Sequence, residues 1–95
     1  MSRYTIELFG LPAKPTDLDL RKVEVELNNG ASLRDVVAAL RRKMPALEGS
    51  VFVAGEDRLR EFYAFNVNGN FHDDDSDIRL KDSDHIILLL LATGG

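Results

Sequence analysis

The sequence predicts an α+β domain in which a mixed sheet is crossed by one main helix. Three observations carry that prediction. Short segments of alternating apolar and polar residues open the chain, one capped amphipathic helix follows, and an uninterrupted aliphatic run, Ile86-Ile87-Leu88-Leu89-Leu90-Leu91, lies near its end. Alternation is the period of a half-buried strand, and 3.6-residue spacing is that of a helix packed on one face. A strand with no polar face is expected at the centre of a sheet, covered on both sides or nearly so.

Tyr4, Ile6 and Leu8 alternate with Thr5 and Glu7, which predicts a first strand ended by Gly10-Leu11-Pro12. Ala13 to Arg21 reads as a polar loop. Val23, Val25 and Leu27 alternate with Glu24 and Glu26, a second strand with an acidic outer face, expected to pair antiparallel with the first. Asn28-Asn29-Gly30 is turn chemistry. Ser32 is a good N-cap, and Asp35 three residues on completes a capping-box-like pair. Leu33, Val36, Val37, Leu40 and Met44 then form one apolar stripe. Arg41, Arg42 and Lys43 oppose the negative end of the helix dipole, and Pro45 stops the helix.

Beyond the helix, Val51 to Ala54 is a candidate short strand followed by a turn over Gly55 to Arg58. Phe62 to Val67 is a stronger strand, with Asn68-Gly69 as its hairpin turn and Phe71 on the returning segment. Asp73 to Asp77 is a polar loop, Ile78 and Leu80 a short apolar alternation, and Lys81 to Asp84 a turn before the final run. A buried last strand belongs beside the first, with the helix across one face. That is the logic of the β-grasp, or ubiquitin-like, fold. One domain over residues 1–95 is expected, with a flexible C-terminal tail over 92–95.

Composition narrows the function. A net charge of −4 argues against nucleic-acid or anionic-membrane binding through phosphate neutralisation. The absence of cysteine excludes disulfides, thiolate nucleophiles and zinc–thiolate sites. The opening residues Met1-Ser2-Arg3-Tyr4-Thr5 lack a signal-peptide pattern, so the expected compartment is the cytoplasm. The aliphatic run is far shorter than the ~20 residues of a membrane helix. The remaining feature is the ending Thr93-Gly94-Gly95. A tail free of side chains can thread a narrow channel and present its carboxylate, and glycine permits backbone angles that other residues avoid.

In several segments the chain resembles the MoaD/ThiS-type sulfur carriers, most nearly the small subunit of molybdopterin synthase. These segments are Tyr4 to Phe9, Ala31 to Leu40 with Met44-Pro45-Ala46-Leu47, Phe65-Asn66-Val67-Asn68-Gly69, Leu80 to Asp84, and the terminal Gly94-Gly95. The resemblance implies a co-substrate rather than an enzyme. An adenylyltransferase of the ubiquitin-activating type would spend ATP to convert the Gly95 carboxylate into an acyl adenylate. A persulfide sulfur would displace AMP and leave a thiocarboxylate, with Thr93 and Gly94 needed for threading. A synthase large subunit or another acceptor enzyme would receive the sulfur, in molybdopterin (molybdenum or tungsten cofactor) biosynthesis or a related pathway. No bound cofactor or metal is implied.

Other residues suggest plainer roles. Asp73, Asp75 and Asp77 are spaced like a calcium loop, but Ile78 stands where glycine is required and no glutamate closes the loop at Asp84. His72 and His85 lack zinc-ligand spacing, and Ser32 is a cap rather than a nucleophile. Phe52, Phe62 and Phe71 read as core, with one or two available to an exposed docking patch. Two alternatives stand beside the carrier: a ubiquitin-like modifier conjugated through Gly95 to lysines, and a β-grasp interaction module with an inert tail.

Overall fold

The computed structural model describes residues 1–9 and 22–91. The expected loop over Ala13 to Arg21 and the tail over 92–95 lie outside the described residues. Alternation at each end of the first gap produces two strands, β1 (Ser2–Phe9) and β2 (Lys22–Leu27). They pair antiparallel, with Tyr4 opposite Val25 and Ile6 opposite Val23. All four of these side chains are buried, whereas Glu24 and Glu26 face outward.

Helix α1 (Leu33–Lys43) begins as its sequence demands. Ser32 Oγ accepts from the Asp35 N–H at 3.1 Å, and the Asp35 carboxylate accepts from the Ser32 N–H at 3.0 Å. Two otherwise unpaired helix-end donors are thereby satisfied. Replacing Ser32 with alanine is expected to lower stability by about 1 kcal/mol. In a domain this small that shift reads as a fall of roughly 4–8 °C in the midpoint of thermal unfolding. At the other end Met44 is the C-cap and is buried, and Pro45 opens a short 3-10 turn, Pro45–Leu47.

Strand β3 (Tyr63–Val67) turns back into β4 (Asn70–His72) through Asn68-Gly69. Both turn residues have positive φ, 53° and 92°, as a two-residue hairpin matched to strand twist requires. Strand β5 (Ile86–Leu90) lies at the centre of the sheet, whose order is β2-β1-β5-β3-β4. It runs parallel to β1, with Ile6 opposite Ile86 and Leu8 opposite Leu88. Against β3 it is antiparallel, with Phe65 opposite Leu88 and Val67 opposite Ile86. The mixed sheet and single main helix are the β-grasp architecture.

The core lies between this sheet and α1. Leu33, Val36, Val37 and Leu40 from the helix join Tyr4, Ile6, Val25, Phe65, Val67, Ile86 and Leu88 in one buried cluster. No polar or charged residue is buried among the described residues. Tyr4 enters this core with its hydroxyl donating to the Leu80 carbonyl at 3.2 Å, so its polar end is satisfied. Leu80 is buried as well, and its N–H donates to the Ala31 carbonyl at 2.9 Å. The Ile78–Leu80 alternation therefore docks as an irregular segment rather than a strand.

Two expectations are corrected. The aliphatic run is central, but only one of its faces is fully buried. Ile86 and Leu88 are buried, whereas Ile87 and Leu89 on the opposite face are only partly buried. The helix shields one side of the sheet; on the other, Ala64 beside Leu89 is buried by its neighbours while Ile87 and Leu89 keep part of their surface open. The second correction concerns Val51 to Ala54, which forms no strand. Phe52 alone makes isolated bridges, to Glu48 and Leu59. Val51 and Phe52 are adjacent and both fully buried, an arrangement that an extended strand prevents by sending neighbours to opposite faces. The chain turns instead, with the N–H groups of Val51 and Phe52 both donating to the Leu47 carbonyl, at 2.9 and 3.3 Å.

Candidate functional site

Strand β5 is the element that would carry the C-terminal residues, and it is anchored at both ends. At its start, Asn68 Nδ2 donates to Asp84 Oδ1 at 2.9 Å, and the His85 N–H donates to Asn68 Oδ1 at 2.8 Å. The Lys81 N–H donates to the other Asp84 oxygen at 2.8 Å. That backbone N–H, helped by the Asn68 amide and the Lys81 charge, holds the Asp84 carboxyl below its usual range. A carboxyl depressed on folding stabilises the fold above its unfolded pKa and loses that contribution as pH falls through the folded value. Asp84→Asn is therefore expected to flatten the decline of the thermal midpoint below about pH 4, where the wild type loses stability more steeply.

At its other end, β5 is closed by a hydrogen bond from the Leu91 N–H to the Phe62 carbonyl, 2.6 Å long. Phe62 has a φ of 75°. The Tyr63 N–H donates to the Arg60 carbonyl at 3.3 Å, closing a β-turn with Phe62 at its third position. Glycine or asparagine normally fills such a position, and a bulky residue there costs about 1–2 kcal/mol. Phe62 is 52% exposed and Leu91 is 51% exposed.

The tail residues Thr93, Gly94 and Gly95 lie outside the described residues, so the site is built from what carries them. Four residues follow Leu91, and four extended residues span at most about 14 Å. Any active site that handles Gly95 must therefore come within about 14 Å of the end of β5. The uncovered sheet face beside it is apolar along its middle. Leu89 lies between Phe9 of β1, 70% exposed, and the buried Ala64 of β3, while Ile87 lies between Glu7 and Asn66, with Phe71 of β4, 60% exposed, beyond Asn66. Charged pairs flank this strip on the β1–β2 side. Arg3 reaches Glu24 at 3.5 Å and Glu26 at 3.6 Å, and His85 Nε2 approaches Glu7 Oε1 at 3.2 Å.

The other singled-out residues are used locally. Ser32 is the helix cap. Phe52 is core, whereas Phe62 and Phe71 are exposed. Asp74 accepts from the Leu59 N–H at 2.7 Å, and His72 Nδ1 contacts Ser76 Oγ at 3.0 Å. No three His, Asp or Glu side chains gather closely enough to hold a metal ion among the described residues. Arg41 does more than match the helix dipole. Its guanidinium bonds Asp57 at 2.7 Å and Glu48 at 3.4 Å, and Glu48 also accepts from the Gly55 N–H at 2.9 Å. This triad clamps the 48–57 segment to the end of α1. The Gly55 N–H, followed by Arg41, holds the Glu48 carboxyl below its usual range.

Sequence reading singled out Phe62 and Phe71 but missed Phe9, Ile87, Leu89 and Leu91 as surface. The signal was present: a strand without a polar face, in a chain with one main helix, has only one face that the helix can cover. Among the described residues, no helix is long and apolar enough to cross a membrane.

A sequence model of the ThiS family matches residues 7–95. The crystal structure of SAMP1 from Haloferax volcanii is similar with a TM-score of 0.73 at 24% identity, covering 99% of this chain and 100% of that one. The solution structure of small archaeal modifier protein 1 from Methanosarcina acetivorans is similar at a TM-score of 0.68 and 25% identity, covering 100% and 98%. A putative molybdopterin converting factor, subunit 1, from Pyrococcus furiosus has a TM-score of 0.67 at 22% identity, covering 97% and 100%. No curated protein sequence matches this chain.

Proposed function

Because this chain belongs to the ThiS family, we infer that it is a sulfur carrier whose reacting group is the Gly95 carboxylate. The observation that carries this reading is the family match, which runs through Gly94 and Gly95. The position of β5 supports it: the strand that leads to the tail is the central one, paired on both sides.

The chemistry assigns the catalysis to partners. A carboxylate repels nucleophiles. In an adenylyltransferase, a Gly95 oxygen attacks the α-phosphorus of ATP and pyrophosphate leaves, giving an acyl adenylate. The terminal sulfur of a persulfide then attacks the carbonyl carbon and AMP leaves. A thiol reductant cleaves the resulting S–S bond, forming a disulfide and releasing the C-terminal thiocarboxylate. Thr93 and Gly94 thread the tail into these sites. The apolar strip around Ile87 and Leu89 is the docking face beside them. The sulfur acceptor is a synthase large subunit of molybdopterin (molybdenum or tungsten cofactor) biosynthesis or a related acceptor enzyme, a reading supported by the fold shared with the Pyrococcus converting factor.

The test is intact-mass measurement after incubation with adenylyltransferase, ATP and a persulfide source. A gain of about 16 Da, oxygen replaced by sulfur, is expected. The modifier names of the two archaeal structures favour one second reading, an isopeptide bond from Gly95 to lysines of other proteins. Covalent ladders on other proteins without the mass gain select that reading. No ATP-dependent change with several cognate activating enzymes selects an inert interaction module and overturns both.

A further inference from the structure

Two non-glycine residues have positive φ among the described residues, Asn68 and Phe62. Asn68 occupies a hairpin turn that suits it. Phe62 occupies a position at which glycine would be unstrained and would offer the same carbonyl to the Leu91 N–H. The turn and its hydrogen bond therefore do not require an aromatic residue. What phenylalanine adds over glycine is the ring, on a residue that is more than half exposed. Strain retained for a side chain that the core does not use points to a contact outside the fold.

Chain length identifies the kind of partner. Gly95 lies four residues beyond Leu91, a reach of at most about 14 Å. A catalyst that encloses the Gly95 carboxylate must bring its rim within that distance of Leu91 and close to Phe62, whose carbonyl accepts from the Leu91 N–H. Such a catalyst must also distinguish this carboxylate from every other one, and two glycines present no side chain to recognise. Discrimination falls to the folded surface at the root of the tail. We propose that Phe62 is the recognition contact for the adenylyltransferase that activates Gly95. This rests on the carrier reading above, since activation is the step that must select the free carboxylate.

The experiment compares wild type, F62A, F62G and F62Y in ATP–pyrophosphate exchange with the adenylyltransferase, varying the carrier concentration, alongside thermal unfolding of each variant. F62A and F62G are expected to raise the KM for the carrier by about 10- to 30-fold, as truncation of an aromatic anchor does at an interface. The kcat should stay within about 3-fold, because the reacting carboxylate is untouched. F62Y should restore the KM to near the wild-type value, and F62G should unfold at or above the wild-type midpoint. A wild-type KM for F62G overturns the inference and leaves the carrier reading intact. The same holds if only the later transfer of sulfur to an acceptor enzyme is impaired. A lowered midpoint for F62G, with a KM loss that F62Y shares, assigns Phe62 a structural role and also overturns it. Failure of the wild type itself to support exchange overturns both.

Discussion

Deleting Gly95 should abolish activation while leaving the domain folded. The truncated chain still ends in a glycine carboxylate, so the chemistry of its last group is unchanged. What changes is reach, which shortens by about 3.5 Å. Catalysis of this kind depends on holding reacting atoms in a near-attack geometry, where a misplacement of about 1 Å can cost 100-fold. Pyrophosphate exchange should accordingly fall by at least about 100-fold, and the mass gain of about 16 Da should disappear. Stability should not follow. The last fully buried residue of β5 is Leu88, and the hydrogen bond that closes the strand is made at Leu91. The midpoint of thermal unfolding is therefore expected to match that of the full chain. Undiminished exchange by the truncated chain would sink the assignment of Gly95 as the reacting residue. Lost exchange together with lost folding would instead give the terminal residue a structural task.

The elements that carry a local rule were legible in the sequence. Alternation marked β1 and β2, Ser32 and Asp35 marked the start of α1, Pro45 marked its end, and Asn68-Gly69 marked the hairpin. Each is a short-range statement about backbone angles or hydrogen-bond donors, so neighbouring residues contain it. The segment after the helix was less legible because tertiary packing decides its shape. Val51 and Phe52 are buried by a turn folded onto Leu47, and the segment is held by Arg41, which reaches Glu48 and Asp57 across the fold. Nothing local distinguishes that clamp from a dipole-matched helix end. Phe62 was assigned to a strand because its side chain suits one. The structure places it in a turn, at a φ that its side chain disfavours. A residue at odds with its local rule is invisible to reasoning from local rules.

Within β5 the two faces of the aliphatic run can be separated by one pair of variants. Leu88 and Leu89 are the same residue type in the same strand, and no pattern in Ile86 to Leu91 distinguishes them. Leu88 lies on the core face, fully buried, opposite Leu8 on one side and Phe65 on the other. Truncating it removes buried apolar contacts and leaves a cavity that a sheet paired on both sides cannot collapse into. Leu88→Ala is expected to cost about 2–5 kcal/mol. A domain of this size has roughly 5–15 kcal/mol of stability in all. The thermal midpoint should therefore fall by roughly 8–40 °C. Leu89 faces away from the helix and is only partly buried, so Leu89→Ala leaves no enclosed cavity and should cost less than about 1 kcal/mol. Equal losses for the two variants would mean that a second layer covers the outer face and would contradict an open docking surface. A large difference between them would show that the outer leucine contributes little to folding. An apolar residue held at the surface at the root of the proposed reactive tail, without need from the core, is then free to serve the proposed partner contact.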